Sequence, residues 1–166
     1  EEFEVILEKP DYFSISVPVS TIGMRQGVIE LGDVRRPVME PIHVGTPIRL
    51  KYVTWSSEEV TLAPAAKAEL DELANRMQVN PSLMVEVGVH DDTRTKADPA
   101  LKLKQQRADA IVAYLRTKGV PKDRLTGKGY GITKPLNPCG PGVECTDQQH
   151  AENKRVVYTV TSIIGS

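Results

Sequence analysis

From residue 46 onward the chain alternates between two hydrophobic periods, one of two residues and one of three to four. IRLKYV, starting at Ile48, alternates as a strand does. Pro64 then opens a segment whose Ala66, Leu70, Leu73, Ala74 and Met77 fall along one helical face, with proline at a favoured first-turn position. LMVEVGVH returns to period two: Leu83, Val85, Val87 and Val89 point one way, and Glu86, Gly88 and His90 the other. The longest helix is predicted from Pro99 to Lys118, with Asp98 as its N-cap and Gly119 ending it. RLTGKGYG (124–131) and KRVVYTVTSI (154–163) read as two further strands, joined by a Pro/Gly-rich loop. The order β-α-β-α-β-β predicts an α/β (α+β) sandwich with helices against one sheet. The first 45 residues lack helical periodicity. FEVIL, YFSISVPV and GVIEL are short β-like runs broken by Pro and Gly, so residues 1–45 are expected as a β-rich extension packed on a domain spanning 46–166.

Composition narrows the function classes. With 166 residues, 40% of them hydrophobic, the chain can bury a core without metals or many disulfides. Its 21 Lys plus Arg against 22 Asp plus Glu argue against a nucleic-acid partner, which calls for a basic excess. No apolar run approaches the roughly 18 residues that cross a bilayer, so direct membrane insertion is not expected. No leader precedes Glu1-Glu2-Phe3, and the chain is expected to be part of a longer protein that carries any targeting and anchor. Cys139 and Cys145 have five residues between them in NPCGPGVEC, a workable spacing for a small disulfide loop and a poor zinc site. A disulfide fits an oxidising compartment such as the periplasm.

The second helix carries the informative anomaly. At about 100° per residue, Leu101, Ala108, Val112 and Leu115 centre an apolar face, extended by Ile111, Tyr114, Leu103 and Ala110. Lys102, Gln105, Gln106, Asp109 and Arg116 fill the polar arc. Arg107 belongs with the apolar set, between Tyr114 and Ile111, where a guanidinium is costly unless it meets an anion. The polar end of the preceding strand, VGVHDDTR, brings Asp91 or Asp92 into range. Two readings stay open from these residues alone: a structural salt bridge, or a ligand site.

Several segments together resemble the OmpA-like peptidoglycan-binding domain family. They are GVHDD (88–92), LKLKQQRADAIVAYLRTKGV (101–120), RLTGKGYG and ENKRV (152–156), in the family's order, and the resemblance runs from Pro47 to Val160. Asp92 and Arg107 are fifteen residues apart, as the family pattern requires. The resemblance implies non-covalent binding of peptidoglycan through the diaminopimelate of its stem peptide, anchoring a larger envelope protein to the wall from the periplasm at the outer membrane. It implies that Asp92 accepts hydrogen bonds from the diaminopimelate ammonium while Arg107 takes its carboxylate, for which a planar fork is suited. Thr93 and Leu103 come with the pair as ligand-binding positions. Arg155, the second late arginine of the motif, either lines the pocket or braces its strand. The start of the helix near Pro99 offers free N–H groups to the carboxylate. Four positions depart from the pattern. Asp91 replaces the usual Thr and adds a negative charge beside the ammonium subsite, Ala100 replaces an Asn, Lys104 a Ser, and Lys154 the first late Arg. VGVHDD and the cysteine loop before His150 look like the version found in Bacteroidetes envelope proteins, a type IX secretion component among them.

Other chemistry finds less support. Three consecutive strand residues, His90, Asp91 and Asp92, converge poorly on one metal ion even with His150. GKGYG lacks the Lys-Ser/Thr ending of a phosphate loop and reads as a strand exit. Trp55 reads as core or rim, and no nucleophile–base constellation is present. The chain is therefore expected to be neither an enzyme nor a cofactor carrier. The competing class is a protein-interaction domain of an envelope complex, with a degenerate pocket and the proline-rich N-terminal segment as its contact surface.

Overall fold

The computed structural model describes residues 2–23, 38–56, 58–94, 97–140 and 143–164. Its elements in chain order are β1 (Glu2–Leu7), β2 (Ile15–Ser20), β3 (Pro47–Leu50), α1 (Pro64–Val79), β4 (Leu83–His90), α2 (Ala97–Thr117), a 3₁₀ turn (Lys122–Arg124), β5 (Leu125–Gly131), α3 (Asp147–Asn153) and β6 (Val156–Ile163). β3, β6, β4 and β5 form one mixed sheet in that spatial order, with only the β4–β5 pair parallel. The α/β fold class and the order of its main elements are those expected.

The period-two pattern explains the layering. Val85, Val87 and Val89 of β4 lie beside Val160, Tyr158 and Val156 of β6. All six are buried in one core with Ala66, Leu70, Leu73, Ala74 and Met77 of α1 and Ala108, Ile111 and Leu115 of α2. On the opposite face, Tyr130 donates its hydroxyl hydrogen bond to Glu86 at 2.6 Å, and its ring stacks on His90 at 4.8 Å between centroids.

Four expectations need correction. The strand at IRLKYV stops at Leu50, because the Glu69 carboxylate of α1 accepts the N–H groups of Lys51 (2.7 Å) and Tyr52 (2.8 Å) and turns the chain. α2 begins at Ala97, so Asp98 lies inside the first turn and is not the N-cap. The buried face of α2 runs through residues 104, 108, 111 and 115: Leu101 is 45% exposed, Val112 half-buried. The segment after the cysteines is not all loop. Thr146 caps α3 through a reciprocal capping box with Gln149.

GKGYG also proves to be something other than an exit turn. Gly127 and Gly129 lie within β5, where α2 crosses so closely that a β-carbon on Gly129 would lie 2.7 Å from the Gln105 Cα. Only Gly131 has a positive φ, 52°. Gln105, expected on the solvated arc, is half-buried against the same strand: its amide donates to the Gly127 carbonyl (3.1 Å) and accepts from the Gly129 N–H (2.9 Å). It thereby supplies the two bonds that one residue of a neighbouring parallel strand would make, and so blunts this sheet edge.

The N-terminal runs form an antiparallel hairpin, β1–β2, as their own two-stranded sheet. Phe13 enters the core, Ser14 exchanges hydrogen bonds with the Asn80 side chain, and Arg76 of α1 pairs with Glu40 at 2.7 Å. GVIEL falls outside the described residues. Cys139 and Cys145 are disulfide-bonded, with Cα atoms 5.9 Å apart. Fully buried Asn153 ties this loop down, bonding the Leu136 N–H and the Asn137 side chain.

Candidate functional site

The carboxyl end of β4 is where the polar chemistry gathers. Pairing with β5 slips by one residue between Val89 and His90, so that His90 lies opposite Gly131, and Asp91 donates its N–H to the Gly131 carbonyl at 2.8 Å. Irregularities of this kind re-aim side chains at strand ends. Asp91 points inward and is 4% exposed; Asp92 and Thr93 remain half-buried in the turn that follows.

A cavity of about 140 Å³ opens beside this strand end. Its walls include Trp55, His90, Lys104, Arg107, Lys154 and Arg155. Arg107 is 3% exposed, donates from Nε to the Glu59 carbonyl (2.9 Å), and holds its Cζ 4.6 Å from the centroid of the Trp55 ring. Burial pushes this guanidinium below its ordinary pKa, and the Asp91 and Glu58 carboxylates oppose the shift. Trp55, half-buried, donates its indole N–H to the Thr61 carbonyl and forms the rim. Arg155 touches both the chain around it and the cavity. It braces the chain by donating to the carbonyls of Asn153 and Lys134 at 3.1 Å each, and it lines the cavity with a buried Nε that has no partner among the described residues.

Asp92 has a cation already. Arg94 donates from Nε (3.3 Å) and from its terminal nitrogen (3.2 Å) to the two Asp92 oxygens, and its other terminal nitrogen reaches Asp147 of α3 at 2.7 Å. Burial works to raise the Asp92 carboxyl, but the hydrogen bonds from Arg94 prevail and hold it below the usual carboxylate value. No salt bridge joins Asp92 to Arg107 among the described residues. Thr93 and half-buried Leu103 stand outside the cavity wall. Of the residues singled out from the sequence, the cavity thus gathers Arg107 and Arg155, with Asp92 and Thr93 in the turn directly after β4.

Lys104 enters the sequence reading only as a departure from the family pattern, with no expectation of burial or of a partner. It is 4% exposed and pairs with the buried Asp91 at 2.7 Å. A signal for it was present: 104, 108, 111 and 115 are spaced four, three and four residues apart, the stripe that faces a core. A lysine on that stripe needs an acid, and Asp91 is it. Trp55, read as core or rim, takes the rim, and Lys154, read as a departure from the late motif, lines the cavity; Arg94 had no comparable signal.

His90 gives this end of the sheet a pH dependence. Burial pushes its pKa down to about 4, with the Arg155 and Lys134 charges acting in the same direction. Above the ordinary imidazole value of about 6.5 it is neutral both folded and unfolded, so it costs nothing; between about 6.5 and 4 the unfolded chain binds the proton more readily, and stability falls as pH falls. His90→Phe keeps an aromatic ring on Tyr130 and removes the titration. Relative to wild type, the variant should gain up to about 3 kcal/mol between pH 7 and pH 4 in urea denaturation. Parallel pH profiles for the two proteins would rule this out.

Comparison with known proteins bears on the same segments. A family model described as the OmpA family matches residues 54–148. The chain is 32% identical over 111 residues to the probable lipoprotein YiaD of Escherichia coli K12, covering 67% of this chain and 48% of that protein, so it spans about half that relative's length. Among solved structures, the cell wall anchor of the type VI secretion system of Pseudomonas aeruginosa superposes with a TM-score of 0.55 at 25% identity, over 69% of this chain and 78% of that one. The peptidoglycan-associated lipoprotein of Burkholderia pseudomallei superposes at 0.54 with 20% identity, over 64% and 86%, a likeness of fold.

Proposed function

The chain belongs to the OmpA family, and from that premise we propose that it binds peptidoglycan without reacting with it, tethering a larger envelope protein to the wall in the periplasm. The observation that carries this reading is the cavity at the end of β4, with the buried Arg107 guanidinium in its wall and the Asp92 carboxylate in the adjoining turn. A ligand end bearing an ammonium and a carboxylate on one carbon suits the two charges at once, and the diaminopimelate of the stem peptide has such an end. Arg107 takes the carboxylate as a fork. Asp92 exchanges the Arg94 guanidinium, an exposed cation held from the same chain, for the ligand ammonium. Thr93 and Leu103 flank the ligand from the turn and from α2, and Arg155 supports the cavity floor.

The test is calorimetric titration with a stem tetrapeptide containing meso-diaminopimelate, alongside Arg107→Ala and a tetrapeptide carrying lysine instead. Lysine lacks the second carboxylate, so both controls remove the same contact. Loss of a charged pair in a desolvated pocket costs about 2–5 kcal/mol, enough to take a micromolar interaction out of the measurable range. Binding that survives in both controls would sink the proposal. A second reading, a protein-interaction domain, draws on Phe3, Ile6, Ile22, Val38 and Val44, exposed apolar residues that all lie in the first 45. It becomes the better one if folded wild-type protein binds no tetrapeptide.

A further inference from the structure

We infer that Lys104, held in place by Asp91, is a specificity-determining residue of this cavity: together with Arg107 it forms a two-cation seat that takes a free carboxylate and rejects the corresponding amide. The inference rests on the wall-binding reading above and adds to it the charge state that the ligand must carry.

Three observations support it. Lys104 is as deeply buried as a core residue, with 5% of its side chain exposed, yet it lines the cavity three positions before Arg107 on the same helix. Residues three apart on a helix are neighbours on its surface. Asp91 accepts one of the three donors of the ammonium, at 2.7 Å, and is not itself part of the cavity wall. The pair is therefore polarised, its cationic end toward the cavity and its anionic end behind. Finally, Lys154 and Arg155 add two further cations to the wall, and no carboxylate stands among its lining residues, so the charge of the cavity favours an anionic ligand end. A carboxylate offers two acceptor oxygens. A primary amide replaces one of them with an NH₂ group and sets donors against donors.

The same geometry revises what the two departures from the family pattern mean. Asp91 alone would add negative charge near the ammonium of a ligand. With Lys104 against it, that charge is spent inside the protein, and the exchange of Thr and Ser for Asp and Lys is one coupled change.

The experiment titrates the wild-type chain with two stem tetrapeptides, one with the free second carboxylate of diaminopimelate and one with that carboxylate amidated. It is repeated on Asp91→Thr/Lys104→Ser, which removes both charges and leaves the net charge of the site unaltered. Lys104→Ser alone strands a buried carboxylate and is expected to be poorly folded, so the double variant carries the test. Wild type should favour the free carboxylate by about tenfold or more, and the double variant should narrow that preference by roughly threefold or more. An equal preference in the two proteins would reduce Lys104 to a structural role and overturn the inference. Equal binding of both peptides by wild type would do the same while leaving the wall-binding reading intact. No binding of either peptide by wild type would overturn both.

Discussion

Alanine at position 129 should cost this domain about 3 kcal/mol or more, an unusually large effect for one added methyl group. The reason is where α2 crosses β5. A β-carbon on Gly129 would collide with the backbone nitrogen of Gln105 and lie 2.7 Å from both the Gln105 Cα and the Lys104 carbonyl carbon. These are backbone atoms of a helix, so no rotamer change relieves the contact; the helix must lift or the strand must bend. Either movement disturbs the Gln105 amide bonds to Gly127 and Gly129, and it shifts Lys104 and Arg107 in the cavity wall. Gly127→Ala should be milder, because its β-carbon would sit 3.0 Å from the Ala108 carbonyl oxygen and a Val112 methyl. Gly140→Ala, with nothing within 4 Å, should be nearly neutral. Urea denaturation of the three variants checks the ranking, read from midpoints at constant slope. A Gly129→Ala protein as stable as Gly140→Ala would show that the α2–β5 spacing is soft, and with it the geometry of the site.

Much of this was legible in the sequence, for a physical reason: where one face of an element is buried and the other wet, the pattern records it. α1 presents Ala66, Leu70, Leu73, Ala74 and Met77 to the core as its spacing predicts, and β4 alternates between buried and half-buried from Leu83 to Val87, after which both faces are buried. The pattern misled where polar side chains do interior work. On α2 the apolar count favoured a face through Leu101 and Val112, but the buried stripe begins at Lys104, whose charge is answered by Asp91 from another element. Such pairing is invisible along one helix. Gln105 read as solvated because an amide can serve equally well toward water or toward the open edge of a strand. GKGYG reads as a strand exit, whereas glycines 127 and 129 serve proximity to α2; the sequence marks the absence of a side chain without saying which property is used. The site followed the same rule. Arg107 stood out against apolar neighbours, whereas Arg94 lies in a polar turn where an arginine is unremarkable.

Arg124 is the sharpest case of that kind, and its removal is the second large effect expected. Standing at the head of RLTGKGYG, it reads as an ordinary charged residue before a strand. In the fold it is buried, and it donates to three backbone carbonyls: Leu83 (3.1 Å), Met77 (2.6 Å) and Asn80 (2.8 Å). The last two belong to the end of α1, where carbonyls lack helical partners and a positive charge also meets the negative end of the helix dipole. The guanidinium therefore joins α1, β4 and the approach to β5 through atoms that no other described side chain serves. Arg124→Met keeps the aliphatic length and removes every donor. Hydrogen bonds from a charged group contribute about 1.5–3 kcal/mol each and do not add fully, so a loss of about 3 kcal/mol is expected. Arg124→Lys separates the two contributions. If charge at the helix end dominates, lysine should recover most of the loss; if the planar fork dominates, lysine should recover less than half, because one ammonium cannot span carbonyls from α1 and β4 together. The fork is the expected answer, since the three bonds leave from two different nitrogens toward two different elements. Equal stability of wild type and Arg124→Met would mean that water serves these carbonyls as well as the arginine does.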